Sequence, residues 1–273
     1  MLEESVVQRV LGAGLERGAD FAEIFVEEKR SSSALLDDGR VEELSSGRDR
    51  GAGIRVVVGG STGFAHTSDL SEEGLLAATR TAAAAARGSA GGVRVVDLDR
   101  VDAPRPNEVE VPPSEVPKAR KVELLVSADE QARNVDPAIT QVTARYADSQ
   151  RRILVANSDG VLAEDEQVRT LFSVSCVASG DAGMQTGRES IGRTIGFELF
   201  DRYDVDELAR SAARRARLKL DARPAPSGEM PVVIGPGGGG VMFHEACGHG
   251  LEADLVRKGA SVFAGRIGEK VAS

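Results

Sequence analysis

Apolar residues recur at helical spacing from the start of the chain. Val6, Val7, Val10, Leu11 and Leu15 predict an amphipathic helix over residues 3–18, with Gly18 as its stop. From Phe21 to Lys29 the period changes to two. Phe21, Glu23, Phe25 and Glu27 alternate with Ala22, Ile24, Val26 and Glu28, a strand pattern in which neither face is cleanly polar. Asp37-Asp38-Gly39-Arg40 predicts a turn between extended segments. The stretch Gly53–Gly60 reads as a further strand or hairpin with a glycine turn. Ser71 is the candidate cap of a second helix, which runs through a series of alanines to about Arg87.

The pattern then breaks. Gly88 to Pro117 holds Pro104, Pro106, Pro112, Pro113 and Pro117 and reads as a linker with one short strand at Val93–Val96. Lys118–Arg133 predicts a third helix, with Val122, Leu125, Val126 and Ala132 on or near one face. Extended segments follow at Ile139–Ala147, Arg152–Ala156, Val168–Ala178 and Arg188–Phe197. Turns at Asn157-Ser158-Asp159-Gly160 and within Gly180–Gly187 make them antiparallel hairpins. Asp204–Leu220 predicts a fourth helix with Val205, Leu208, Ala212, Ala216 and Leu220 inward. After a second linker, Asp221–Gly228, come a strand at Glu229–Ile234, the run Gly235–Gly240, and a helix from Val241 to about Arg257.

These elements predict an α+β fold, with helices packed on mixed or antiparallel sheets in two N-terminal units, followed by the start of a C-terminal domain. The divisions are 1–90, a linker at 91–117, 118–222 and 223–273. The two units share a plan of helix, strands, helix, without a residue-level repeat. The last segment has one clear helix and no sheet to pack on, which predicts that it is part of something larger.

Composition narrows the function classes. The 34 basic and 43 acidic residues give a formal charge of −9, which argues against general nucleic-acid binding. No apolar stretch approaches a membrane span, and the acidic start Met1-Leu2-Glu3-Glu4 does not read as a signal peptide. Two distant cysteines, Cys176 and Cys247, make a disulfide framework a poor reading and favour a reducing compartment, hence the cytoplasm.

The chemistry concentrates at His244-Glu245-Ala246-Cys247-Gly248-His249. Neutral imidazoles are good zinc ligands, and a neighbouring glutamate can take a proton from an activated water. Histidines four apart share a helix face; His244 and His249 are five apart, a divergence of roughly 140° on an ideal helix. A π-type turn, which pairs residue i with i+5, would bring them together, and Gly248 would ease it. Spacing alone leaves ordinary helix-surface polarity open beside metal catalysis. Cys247 reads as a buried small hydrophobe, Cys176 as core, and His66 as a surface or structural residue in a turn-like context. Gly235 and Gly240 have phosphate-loop spacing, but Val241 and Met242 follow where Lys and Ser or Thr are required, which speaks against a nucleotide site.

From Gly228 to Ser273 the chain resembles the TldD/PmbA metallopeptidase family in its catalytic, TldD-like members. The resemblance is carried by the motif above, its continuation Gly250-Leu251-Glu252-Ala253-Asp254, and Arg257-Lys258-Gly259-Ala260-Ser261-Val262-Phe263. It extends more loosely over the rest of the chain. It implies zinc held by His244 and His249, with Glu245 as the catalytic base. It also implies a cysteine ligand from a later region, to which no position here corresponds. The implied substrates are short or unstructured peptides, and the implied partner is a related subunit of the family. On this reading 223–273 is the start of a metallopeptidase domain. The alternatives are a truncated, inactive product and a non-catalytic scaffold subunit.

Overall fold

Asp38 and Gly39 have φ of 48° and 76°, and Gly59 and Gly60 of 53° and 89°. Two consecutive positive φ values make the primed turn that matches the twist of a tight hairpin. They join strands β1 (Phe21–Asp37), β2 (Arg40–Val58) and β3 (Ser61–Thr67) into a meander. Helix α1 (Glu4–Leu15) precedes it and α2 (Glu72–Ala85) follows, the latter capped by Ser71 Oγ, which accepts from Gly74 N at 3.2 Å. The structure, a computed structural model, describes residues 1–16, 18–86, 96–103, 108–181 and 183–271. Most of the expected strand at Val93–Val96, together with Pro104 and Pro106 of the linker, lies outside them; Val96 itself is described and belongs to no strand.

The short parallel strand β4 (Asp99–Asp102) leads to a second run with the same plan. It comprises α3 (Lys118–Arg133), β5 (Ile139–Asn157), β6 (Val161–Gly180), β7 (Gly183–Arg193), the one-turn helix α4 (Leu199–Arg202) and α5 (Val205–Leu220). Asp204 caps α5, accepting from Asp206 N and Glu207 N at 2.9 and 3.0 Å. β1 pairs antiparallel with β5 from Glu23↔Asn157 to Asp37↔Thr143, so both runs build one seven-stranded sheet. Its order is β3-β2-β1-β5-β6-β4, with β7 also on β6.

Buried positions on β1, β2, β5 and β6 are nearly all even-numbered: Ile24 and Val26, Ile54 and Val56, Ala144 and Tyr146, Val174 and Cys176. Successive side chains alternate across a strand, so the four long helices cover one face of the sheet. They form two cores. α1 and α2 close over one end of the long strands, and α3 and α5 over the other. Between the cores the even positions carry Glu28 and, around a cleft of about 420 Å³, Arg30, Ser32, Asp148 and Gln150 instead. At its wall Lys121 is buried against Asp148 at 2.7 Å, with Ser32 and Tyr146 hydroxyls donating to the same carboxylate. On α3, Leu125 and Ala132 of the expected face are buried, but Val126 is exposed, and Lys121 and Asp129 are buried beside Leu124 and Ala128, so the inward face is rotated from the one the apolar pattern suggested.

Each half also has an edge-strand glycine whose place beside a helix admits no side chain. A Cβ on Gly63 would stand 1.9 Å from Ala82 O, and one on Gly187 2.0 Å from Ala212 O. These two edge-strand glycines let α2 and α5 lie directly on β3 and β7. Gly187 thus belongs to a strand beginning at Gly183, where the sequence suggested a turn.

Met1–Ala222 is one compact unit, and Arg223–Ser273 is a second. The second contains α6 (Gly238–Phe243), a π turn at His244–Gly248, a 3₁₀ turn at His249–Leu251 and α7 (Ala253–Arg257). The strand expected at Glu229–Ile234 does not form. Its Val232 and Val233 are exposed and find no ladder partner among the described residues, and a strand is defined by the neighbour that pairs its backbone groups. No helix among the described residues is long and apolar enough to cross a membrane.

Candidate metal centre

The helix that begins at Gly238 does not stay regular. From His244 to Gly248 it widens to π geometry, with His249 N donating to His244 O. That is the departure from α geometry that a five-residue histidine spacing requires. It brings the two imidazoles together, their ring centroids 4.4 Å apart. One ligand-type atom from each of His244, Glu245 and His249 lies within 4.8 Å of the others, and all three residues are exposed.

Glycine makes the wide turn tolerable. A Cβ on Gly248 would sit 3.2 Å from His244 Nδ1, a tight contact against the ring that faces the cluster. The next glycine, Gly250, has a different task. A Cβ there would meet the Phe263 ring at 2.4 Å. The segment after α7 folds back over this point, where the Ser261 hydroxyl donates to Gly250 O and accepts from Phe263 N. Residues 261–263 thereby brace the turn that carries His249.

The His249 ring has a carboxylate on each side. Nδ1 lies 2.8 Å from Glu252 Oε1, and Nε2 lies 3.7 Å from Glu245 Oε2. Glu252 was read from sequence only as part of a matching run, and its bond to His249 was not foreseen. An acid three residues past a histidine is the signal that was available. His244 makes no side-chain hydrogen bond among the described residues.

The other sequence candidates are not members of the His244-Glu245-His249 cluster. Cys247 is half-buried, not core, and its thiol donates to Phe243 O at 3.1 Å, an i−4 back-bond that competes with metal binding. Cys176 is fully buried in the Met1–Ala222 unit, and burial pushes its thiol up to about 11. His66 is exposed on β3 opposite Gly53, so its context is a strand and not a turn. Two imidazoles and a carboxylate in one small cluster form a donor set suited to a borderline-soft divalent metal such as zinc.

Comparison with known proteins agrees with this chemistry. Three profiles match in chain order: PmbA/TldA metallopeptidase domain 1 over residues 22–86, the central domain over 111–220 and the C-terminal domain over 227–273. A metalloprotease of Methanothermobacter thermautotrophicus is 39% identical over 263 residues, covering 95% of this chain and 56% of that protein. The metalloprotease TldD homolog of Haemophilus influenzae is 35% identical, covering 94% and 55%. The chain thus spans about half the length of these curated relatives. The crystal structure of TldE from Thermococcus kodakarensis shares the fold, with a TM-score of 0.75 at 20% identity, covering 98% of this chain and 60% of that one. With its profiles in order over most of its length and relatives well above 30% identity, the chain belongs to the PmbA/TldA (TldD/PmbA) metallopeptidase family.

Proposed function

We propose that this chain carries the His-Glu-His part of a zinc peptidase centre, with His244 and His249 as metal ligands and Glu245 as the general base. The observation that supports this most is the π turn, which brings two imidazoles together beside a carboxylate. Zinc held there would supply an acidified water and a polarised peptide carbonyl. Glu245 would take the proton of the attacking water and return it to the leaving amine. Its exposure leaves room for a peptide to approach, and the family resemblance points to short or unstructured peptides as substrates.

Catalytic zinc ordinarily takes three protein ligands and one open position. Two imidazoles meet part of that need, so a further ligand from another segment or a related family subunit completes the proposed site. We place the chemistry in 223–273 and treat 1–90 and 118–222, joined by 91–117, as the two lobes of one sheet. Free thiols at Cys176 and Cys247 fit a reducing cytoplasm, and the acidic balance fits a protein that does not bind nucleic acid.

The test is zinc content by equilibrium dialysis together with hydrolysis of an unstructured peptide, in the assembled enzyme. His244→Ala and His249→Ala should lose zinc. Glu245→Gln should keep zinc and lose turnover by roughly 10²–10⁴-fold. Near-normal turnover in Glu245→Gln would remove the base assignment, and full zinc in both histidine variants would remove the metal site.

A further inference from the structure

We propose that Glu252 is a positioning residue that fixes the tautomer and orientation of His249. The proposal rests on the metal reading above but is built on a separate contact. Glu252 Oε1 lies 2.8 Å from His249 Nδ1. A carboxylate only accepts, so the neutral imidazole carries its proton on Nδ1 to make this bond. The lone pair is then on Nε2, which lies 3.7 Å from Glu245 Oε2. Without the carboxylate the ring is free to protonate on Nε2, which withdraws that lone pair, or to rotate away.

The backbone explains how Glu252 reaches this position. The π turn ends at Gly248 and a single 3₁₀ turn, His249–Leu251, follows. Residues three apart nearly eclipse in 3₁₀ geometry, so Glu252 comes to lie beside His249. At Glu252 the backbone leaves the helix, with φ −62° and ψ 123°, and the residue precedes α7 without its side chain capping that helix. The carboxylate is therefore free for the imidazole. Successive π and 3₁₀ turns have separable effects: the first brings His249 to His244, and the second supplies the group that orients it. Histidine ligands of metal sites commonly donate their other N–H to such a carboxylate. His244 has no equivalent partner among the described residues, so the two imidazoles are held unequally.

Glu252→Ala and Glu252→Gln are compared with the unmodified chain by two measurements. Two-bond ¹H–¹⁵N correlation spectra of the metal-free protein in alkaline buffer read the tautomer, with His249→Ala assigning the signal. Competition with a chromophoric chelator, run in the assembled enzyme that completes the site, reads zinc affinity. We expect His249 as the Nδ1–H form in the unmodified chain. In Glu252→Ala we expect a shift toward Nε2–H and a loss of zinc affinity of about tenfold, the low end of the usual range because both partners are half-exposed. Glu252→Gln, whose carbonyl still accepts, should recover most of both. An unchanged tautomer and unchanged zinc affinity in Glu252→Ala would overturn the proposal. If no form binds zinc, the metal reading falls, while the tautomer shift still decides whether Glu252 holds the ring.

Discussion

Replacing Gly187 by alanine tests how the second half of the sheet is held together. The new Cβ would lie 2.0 Å from Ala212 O and 2.5 Å from Ala216 N. Both neighbours are helix backbone, which has no rotamer through which to yield. Reaching ordinary contact near 3.5 Å requires α5 and β7 to separate by about 1.5 Å. The move would loosen Ala209, Ala212, Ala213 and Ala216, all fully buried. Overpacking of this kind costs about 1–3 kcal/mol, and a backbone-on-backbone clash belongs at the upper end. The alanine stiffens the unfolded chain and recovers about 0.4–1 kcal/mol. The net loss is about 2 kcal/mol, a drop in Tm of about 4–8 °C for a unit of this size. Tyr146 and Tyr203 both belong to the Met1–Ala222 unit and the chain has no Trp, so tyrosine fluorescence follows that unit alone. Gly47→Ala is the control, since its Cβ would meet nothing nearer than Ser31 Oγ at 3.5 Å. It should stay within about 0.5 kcal/mol of the unmodified chain. If Gly187→Ala melts with Gly47→Ala, the close approach of α5 to β7 is not what the geometry says it is.

Three further outcomes can be checked. Gly63→Ala should match Gly187→Ala in its thermal shift, because its Cβ would stand 1.9 Å from Ala82 O on α2; a much smaller shift would break the equivalence of the two halves. For buried Glu198, burial alone would raise the carboxyl pKa, but bonds from backbone N–H groups, Val111 and Gly196 among them, outweigh it and hold the pKa below the ordinary value. Its stabilisation is therefore present above the unfolded pKa of about 4.3 and is lost as pH falls through the lower folded value. Glu198→Gln should cost about 1–3 kcal/mol in urea unfolding at neutral pH, with the gap to the unmodified chain closing in acid; a pH-independent gap would refute the assignment. A thiol reagent at neutral pH should modify half-buried Cys247 in the native protein and reach Cys176 only after unfolding, and rapid native reaction of both would show that the core around Cys176 opens.

Much of this protein is determined by local sequence. Ser71 and Asp204 start helices because their side chains accept orphan N–H bonds, and Asp38-Gly39 and Gly59-Gly60 turn hairpins because they tolerate positive φ. The five-residue spacing of His244 and His249 required a widened helix if both were to serve one ion, and the backbone is widened there. Strand length was not legible in the same way. The sequence pattern stopped at Lys29, broke between Ala147 and Arg152, and resumed only at Val168, whereas β1, β5 and β6 run through all three gaps. The first two gaps coincide with the polar band between the two cores, at Arg30, Ser32, Asp148 and Gln150, and the third, on β6, pairs with Arg151–Ala156 through the acidic run Glu164-Asp165-Glu166. Hydrophobic alternation reports burial, but a ladder is made by backbone groups that pair whatever the side chains are. For the same reason the pairing of β1 with β5, which joins two similar runs into one sheet, depends on partners over a hundred residues apart. The i, i+3 spacing of His249 and Glu252 allows their bond, but the 3₁₀ turn that follows the π turn is what makes it. Local chemistry set the caps, the turns and the paired histidines, and tertiary pairing decided how far each strand extends.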